Sequence, residues 1–189
     1  MNIQLQPLYI FDLDGTLSLA DHRRYLVEAP ACPACKGYGN AVGHGGDIRC
    51  PVCAGSGKER GFKPNWDAFY DACDQDAPNT PVIETMERLR LMGCEIRIFS
   101  GRSDRVRGKT IKWLFENTNM HITSFRNDML VMRKEGDFTP DDQLKESWLK
   151  ALPMTDRERL IAVFDDRAKV VNMWRRNGVA CFQVAEGNF

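Results

Sequence analysis

Residues 8–17 read Leu8-Tyr9-Ile10-Phe11-Asp12-Leu13-Asp14-Gly15-Thr16-Leu17. Four apolar or aromatic residues run directly into Asp-x-Asp-Gly-Thr with no polar spacer, the pattern of a buried strand ended by turn residues. Side chains alternate along a strand, so Asp12 and Asp14 are expected on the same side at its carboxyl end. Two carboxylates placed this way repel, and burying either is costly unless something cationic sits between them. Mg²⁺ meets that need, usually through one or two carboxylates and a substrate phosphate. An Asp-Gly turn after a strand is common for purely structural reasons, but strand ends in α/β sheets are also where ligands sit.

Working outward, the same strand-then-polar-turn pattern recurs. Cys94 to Phe99 (CEIRIF) is followed by Ser100-Gly101-Arg102-Ser103, and Leu160 to Phe164 (LIAVF) by Asp165-Asp166. Met129 to Met132 and Val179 to Val184 are expected as further strands. Helices are expected near Asp21–Glu28, Pro64–Gln75, Thr80–Met92, from Ser103 to Glu116, from Thr139 to Ala151 and over Ala168–Arg176. Strands alternating with helices predict a doubly wound, Rossmann-like parallel α/β sheet in three layers.

Composition sets outer limits. The chain has 189 residues, 43% hydrophobic and 28% charged, with a formal net charge of zero, so a general electrostatic grip on nucleic acid is not implied. No charged leader with a cleavage site precedes the first strand, and no run is long enough for a bilayer. Seven cysteines without an export signal predict a reducing, cytoplasmic setting rather than a disulfide framework.

In a parallel sheet the three polar turns converge on one edge. That edge offers carboxylates for Mg²⁺, and the Ser100 hydroxyl, Gly101 N–H and Arg102 guanidinium for a phosphate. Lys145, four residues after Asp141 on one helix face, supplies an ammonium that Asp141 can hold in place. A solvated ion pair is the alternative for those two. The run Gly101–Thr110 imitates a phosphate-binding loop ending in Gly-Lys-Thr, but the first glycine of G-x-x-x-x-G-K-[ST] falls on Ser103, so Lys109 and Thr110 read as helix residues.

The ordered set Asp12-Leu13-Asp14-Gly15-Thr16, Ser100, Lys145 and Asp165-Asp166 resembles the four motifs of haloacid-dehalogenase (HAD) superfamily phosphatases. The runs IFDLDGTL, LRLMGCEIRIFSGR and FDDRAKVVNMWRRNGVACFQVAEGNF resemble more closely the phosphatase domain of phage polynucleotide kinase/phosphatases, over nearly all the chain except residues 29–62. The resemblance implies Asp12 as nucleophile, Asp14 as general acid and base, and Lys145 as the catalytic cation. Mg²⁺ would be bound by Asp12, Asp14 (through its carbonyl) and Asp165 or Asp166. Ser100, Gly101, Arg102, Arg23 and Asp141 would serve the substrate phosphate, although a surface helix arginine is an equal reading of Arg23. The implied substrate is a phosphorylated nucleic-acid end, 3′ by preference, or a nucleotide. A small-molecule nucleotide or sugar phosphatase is one alternative, and a zinc-bearing binding protein without turnover is another.

Residues 29–62 are rich in Gly and Cys and nearly free of large apolar side chains, so another agent must hold them together. Cys32-Pro33-Ala34-Cys35-Lys36-Gly37-Tyr38-Gly39 is echoed by Cys50-Pro51-Val52-Cys53-Ala54-Gly55-Ser56-Gly57. Paired C-x-x-C knuckles place four thiolates for a structural, tetrahedral Zn²⁺; a disulfide pair or an iron–sulfur cluster are alternatives. The repeat resembles half of a DnaJ-type cysteine-rich domain. His44 is surplus to a four-cysteine site. The expected organisation is a phosphatase core from residues 1–28 and 93–189, a zinc insertion at 29–62, and a small helical cap with return to the core at 63–92.

Overall fold

The structure, a computed structural model, describes residues 6–40 and 48–187; His44 lies outside them. In chain order its elements are β1 (Leu8–Phe11), β2 (Ser18–Leu19), α1 (Trp66–Asp71), β3 (Ala77–Pro78), α2 (Thr80–Leu91), β4 (Glu95–Ser103), α3 (Arg107–Asn117), β5 (Leu130–Arg133), α4 (Asp141–Ala151), α5 (Met154–Glu158), β6 (Leu160–Arg167), α6 (Ala168–Arg176) and β7 (Cys181–Gly187). Contacts divide the chain into two compact units, Met1–Ala20 with Cys73–Phe189, and Asp21–Ala72. No helix among the described residues is long and apolar enough to cross a membrane.

The first unit is built on a five-stranded sheet of order β5-β4-β1-β6-β7, and every pairing in it is parallel. This is the expected α/β fold. Leu8, Ile10 and Phe11 are fully buried in the central strand, as a strand covered on both faces requires. Ile10, Phe99, Val163 and Cys181 from the sheet pack with Leu149 of α4 and Val170, Val171, Met173 and Trp174 of α6. The two strands flanking β1 carry their polar ends inside the strand rather than after it. β4 runs on through Ser100-Gly101-Arg102-Ser103, and β6 through Asp165-Asp166. Both lose regular register there, between Ser100 and Ser103 and between Asp165 and Arg167. An irregularity of that kind re-aims side chains while the strand continues.

The amino ends of β4 and β6 are tied by ions. Asp156 accepts from Arg159 Nη2 at 2.7 Å and pairs with Arg97 Nη2 at 2.8 Å, while Glu95 pairs with both arginines at 2.9 and 2.5 Å. Burial alone would raise the Asp156 pKa, but its bonds to Arg159 and Arg97 outweigh that and lower it. The resulting stability is present in full above the ordinary value of 3.8 and is lost as pH falls below it through the depressed folded value. Asp156→Asn is therefore expected to lower the melting temperature at pH 7 and to narrow its gap from wild type near pH 3. Thermal unfolding at the two pH values checks this; a constant gap refutes it.

In the second unit the two cysteine loops are near-copies. Cys32 N–H donates to Gly57 O and Cys50 N–H to Gly39 O, both at 2.8 Å. Isolated antiparallel bridges pair Ala31 with Lys58 and Asn40 with Arg49. A Cβ on Gly39 would meet Gly55 O at 2.6 Å, and one on Gly57 would meet Gly37 O at 2.3 Å. Both positions also have positive φ (77° and 70°), which is why glycine alone fits the crossing. The same unit holds Arg23, fully buried, its Nη1 donating to Phe69 O at 3.0 Å and its guanidinium 4.0 Å above the Phe69 ring.

Candidate active site

β1 delivers Asp12 to the carboxyl edge of the sheet, where its N–H is bonded to Phe164 O at 2.9 Å. The chain then folds back at once, with the N–H groups of Leu17 and Ser18 both donating to Leu13 O. Gly15 permits this turn with φ +87°, and a Cβ there would lie 2.2 Å from Asp166 Oδ2. Gly15→Ala must therefore strain the backbone and push Asp166 aside. The expected cost is about 1–2 kcal/mol of stability. Turnover should also fall by about tenfold or more, because misplacement on the ångström scale is enough. Thermal unfolding and steady-state assays on this variant measure the two losses.

Lys145 is the hub. Only 1% exposed, its Nζ lies 2.6 Å from Asp12 Oδ1, 2.9 Å from Asp165 Oδ2 and 3.7 Å from Asp141 Oδ2. The i,i+4 pair read from the sequence is thus present, and it faces the sheet edge rather than solvent. Asp141 is shared with Arg133 at 3.3 Å and Arg167 at 3.5 Å. Burial would raise the Asp141 pKa, but Lys145, Arg167 and Arg133 hold it below its ordinary value. Burial disfavours the Lys145 ammonium as well, yet Asp12, Asp165 and Asp141 keep it protonated, with its pKa well raised.

One ammonium does not balance this set. Asp12, Asp165 and Asp166 can each turn an oxygen to within 4.8 Å of the others, and all three are buried. Burial, together with repulsion from Asp165, Asp166 and Asp141, raises the Asp12 pKa well above normal despite Lys145. Burial and then Asp165 push Asp166 up to about 6. Buried carboxylates in such excess fit a hard divalent cation, with oxygen donors only.

Asp14 has a separate cation. Arg102, fully buried, donates from Nε to both Asp14 oxygens at 3.0 and 2.9 Å and from Nη2 to Oδ1 at 2.7 Å. The same Nη2 reaches Ser18 Oγ at 2.8 Å and Asp76 Oδ2 at 2.5 Å. Burial works against the Arg102 charge, but Asp14 more than restores it and raises the pKa. Asp14 keeps a quarter of its side chain exposed, so it is the accessible carboxylate of the pair. Lys145 holds Asp12 and Arg102 holds Asp14. Ser100 is fully buried and accepts the Arg102 N–H at 3.2 Å. Gly101 lies against Asp141, where a Cβ would be 2.5 Å from Oδ1. The structure thus gathers Asp12, Asp14, Ser100, Gly101, Arg102, Asp141, Lys145, Asp165 and Asp166 in one unit, while Arg23 belongs to the other.

Three further residues shape this edge. Asp76 anchors Arg102, Arg133 joins Gly101 O at 2.8 Å to Asp141, and Arg167 flanks Asp141. Arg133, a charged residue directly following an apolar strand, is the one with a signal in the sequence; Asp76 has none.

The four cysteines form a second candidate metal site. Cys32, Cys35, Cys50 and Cys53 are buried free thiols with their sulfurs within 4.8 Å of one another. The Cys35 and Cys53 sulfurs are 3.7 Å apart, close to the edge of about 3.8 Å that a tetrahedron of 2.3 Å Zn–S bonds would have. Gly39 and Gly57 N–H groups donate to Cys35 and Cys53 sulfur at 3.3 Å. Burial opposes the Cys53 thiolate, but the Gly57 N–H and the Cys35 and Cys50 thiols bring its pKa down to about 6.

A family model described as the polynucleotide kinase PNKP phosphatase domain matches residues 64–189. Among solved structures, the Pnkp1/Rnl/Hen1 RNA repair complex contains a chain 27% identical, with a TM-score of 0.61 over 97% of this chain and 44% of that one. A second Pnkp1/Rnl/Hen1 complex gives 26% identity and a TM-score of 0.60, covering 97% and 47%. This chain therefore spans less than half the length of these two chains.

Proposed function

Because the chain belongs to the family of the polynucleotide kinase PNKP phosphatase domain, a HAD-type phosphatase fold, we propose that it removes phosphate from nucleic-acid ends, with 3′-phosphates preferred. The observation that carries the reading is the division of labour between two carboxylates two residues apart. Asp12 is buried and fixed by Lys145; Asp14 is a quarter exposed, 25% of its side chain, and gripped by a buried arginine. Such paired groups in contrasting environments are the mark of nucleophile and acid/base.

The Asp12 carboxylate attacks phosphorus, forming an aspartyl O–P bond as the ester O–P bond breaks, and Asp14, entering this step protonated, gives its proton to the departing oxygen and is left as the carboxylate that Arg102 holds. Water then attacks the aspartyl phosphate, Asp14 takes the water's proton, and inorganic phosphate leaves with Asp12 restored. Lys145, Ser100 and the Gly101 N–H serve the phosphoryl oxygens, and Arg102 keeps Asp14 aimed. Asp12, the Asp14 carbonyl and Asp165 or Asp166 would hold Mg²⁺, which would neutralise phosphate charge when bound. Cys32, Cys35, Cys50 and Cys53 would hold a structural Zn²⁺. The zinc-bearing insertion at 29–62 and the helical segment at 63–92 belong in this reading to substrate entry, and Arg23 to the substrate contacts.

The test is phosphate release, with Mg²⁺, from 3′- and 5′-phosphorylated oligonucleotides, mononucleotides and sugar phosphates. The 3′-phosphorylated oligonucleotides are expected to give the highest kcat/KM. Higher efficiency on mononucleotides would overturn the substrate class, and dependence on no divalent ion would overturn the metal.

A further inference from the structure

Residues 134–140, between β5 and α4, carry Phe138, which is 90% exposed. Leaving an aromatic ring in water forgoes the stabilisation that burial would bring. Singly exposed apolar residues are ordinary on a protein surface; what sets Phe138 apart is that its loop is fastened. Arg133 donates from Nη1 to Asp137 O at 3.3 Å and to Thr139 O at 2.6 Å, the residues on either side of Phe138. With Nε and Nη2 the same guanidinium reaches Gly101 O and Asp141 Oδ1. Thr139 N–H donates to Asp137 Oδ1 at 2.8 Å, and Glu135 N–H to Asp104 Oδ1 at 2.9 Å. One arginine thus fixes the ring's support to the two residues that line the phosphate position. Phe138 precedes Asp141 by three residues, so their Cα atoms are at most about 11 Å apart, a nucleotide's reach.

We propose that Phe138 is a stacking platform for the base of the nucleotide at the phosphorylated end. The inference rests on the phosphatase reading above and adds how a nucleic-acid end is told from a simple phosphate ester. Every base offers a π face, so stacking tolerates any sequence. The loop's own charges, Glu135 and Asp137 against Lys134, suit a neutral ring better than a phosphodiester.

The test compares a 3′-phosphorylated oligonucleotide, the same oligonucleotide with abasic terminal sugars, and glycerol phosphate. Phe138→Ala is expected to lower kcat/KM on the base-bearing end by about 5- to 150-fold and to leave the abasic end and glycerol phosphate unchanged. Phe138→Trp should restore the preference and Phe138→Leu should not. In the Asp12→Asn background, fluorescence of a terminal 2-aminopurine should be quenched on binding, and quenching should vanish when Phe138→Ala is added. Equal losses on all three esters, or no loss, would overturn the platform while leaving the phosphatase in place. A wild-type chain that hydrolyses glycerol phosphate but no nucleic-acid end would overturn both.

Discussion

Asp12→Asn is expected to abolish phosphate release, by at least about 10⁴-fold, without unfolding the chain. The asparagine fills the same space and its carbonyl can still accept from Lys145 Nζ, which keeps Asp165 at 2.9 Å as a partner. Its effect on stability has a definite sign. Burial raises the Asp12 pKa well above 3.8, so keeping that carboxylate ionised at neutral pH costs folding free energy. Without divalent metal the variant should therefore melt at or above the wild-type temperature at pH 7. Substantial residual turnover would refute the nucleophile, and a large drop in melting temperature would refute the electrostatic account.

The second large effect concerns the cysteine module. Structural zinc contributes roughly 10–16 kcal/mol in small units of this kind, far more than the sparse apolar content of residues 29–62 can replace. Stripping metal with a strong chelator, or introducing Cys50→Ser, is expected to abolish hydrogen-exchange protection across residues 31–40 and 48–58. One zinc per chain should be lost at the same time, by elemental analysis. The Cys32 and Cys50 amides, bonded across the two loops, are the sensitive reporters. Undiminished protection in metal-free protein would show that the loops hold themselves.

What the sequence made legible here is what local pattern controls. The apolar run before Asp12 had to be a buried strand, and α6 could be bounded at both ends because its apolar periodicity stops at Asn177-Gly178. The carboxylates, Ser100 and Lys145 could be singled out because their order along the chain is itself distinctive, and the fold places them in one unit. Long-range pairing was not legible. Arg102 reads as a phosphate ligand next to Ser100, and what the fold adds is its grip on Asp14 and Asp76, 88 and 26 residues away. Nothing in a residue's neighbours reveals such a partner. The β2–β3 pairing escaped because each strand is two residues long and one contains Pro78, and α5 because five residues hold too little periodicity to read. The extension of β4 and β6 through their polar ends was hidden because turn residues normally end a strand.

The bridge between Ala31 and Lys58 brings the entrance and exit of the cysteine module side by side, at the spacing of about 5 Å usual for paired antiparallel residues. To the rest of the polypeptide, 26 intervening residues (32–57) therefore present almost the same end-to-end distance as a tight turn. A unit closed in this way is portable: a short glycine linker could take its place without stretching the flanking chain, and the module could be lodged in another surface loop. Gain or loss of the whole cysteine module would need only one insertion or deletion at that neck to leave the path of the flanking chain as it is.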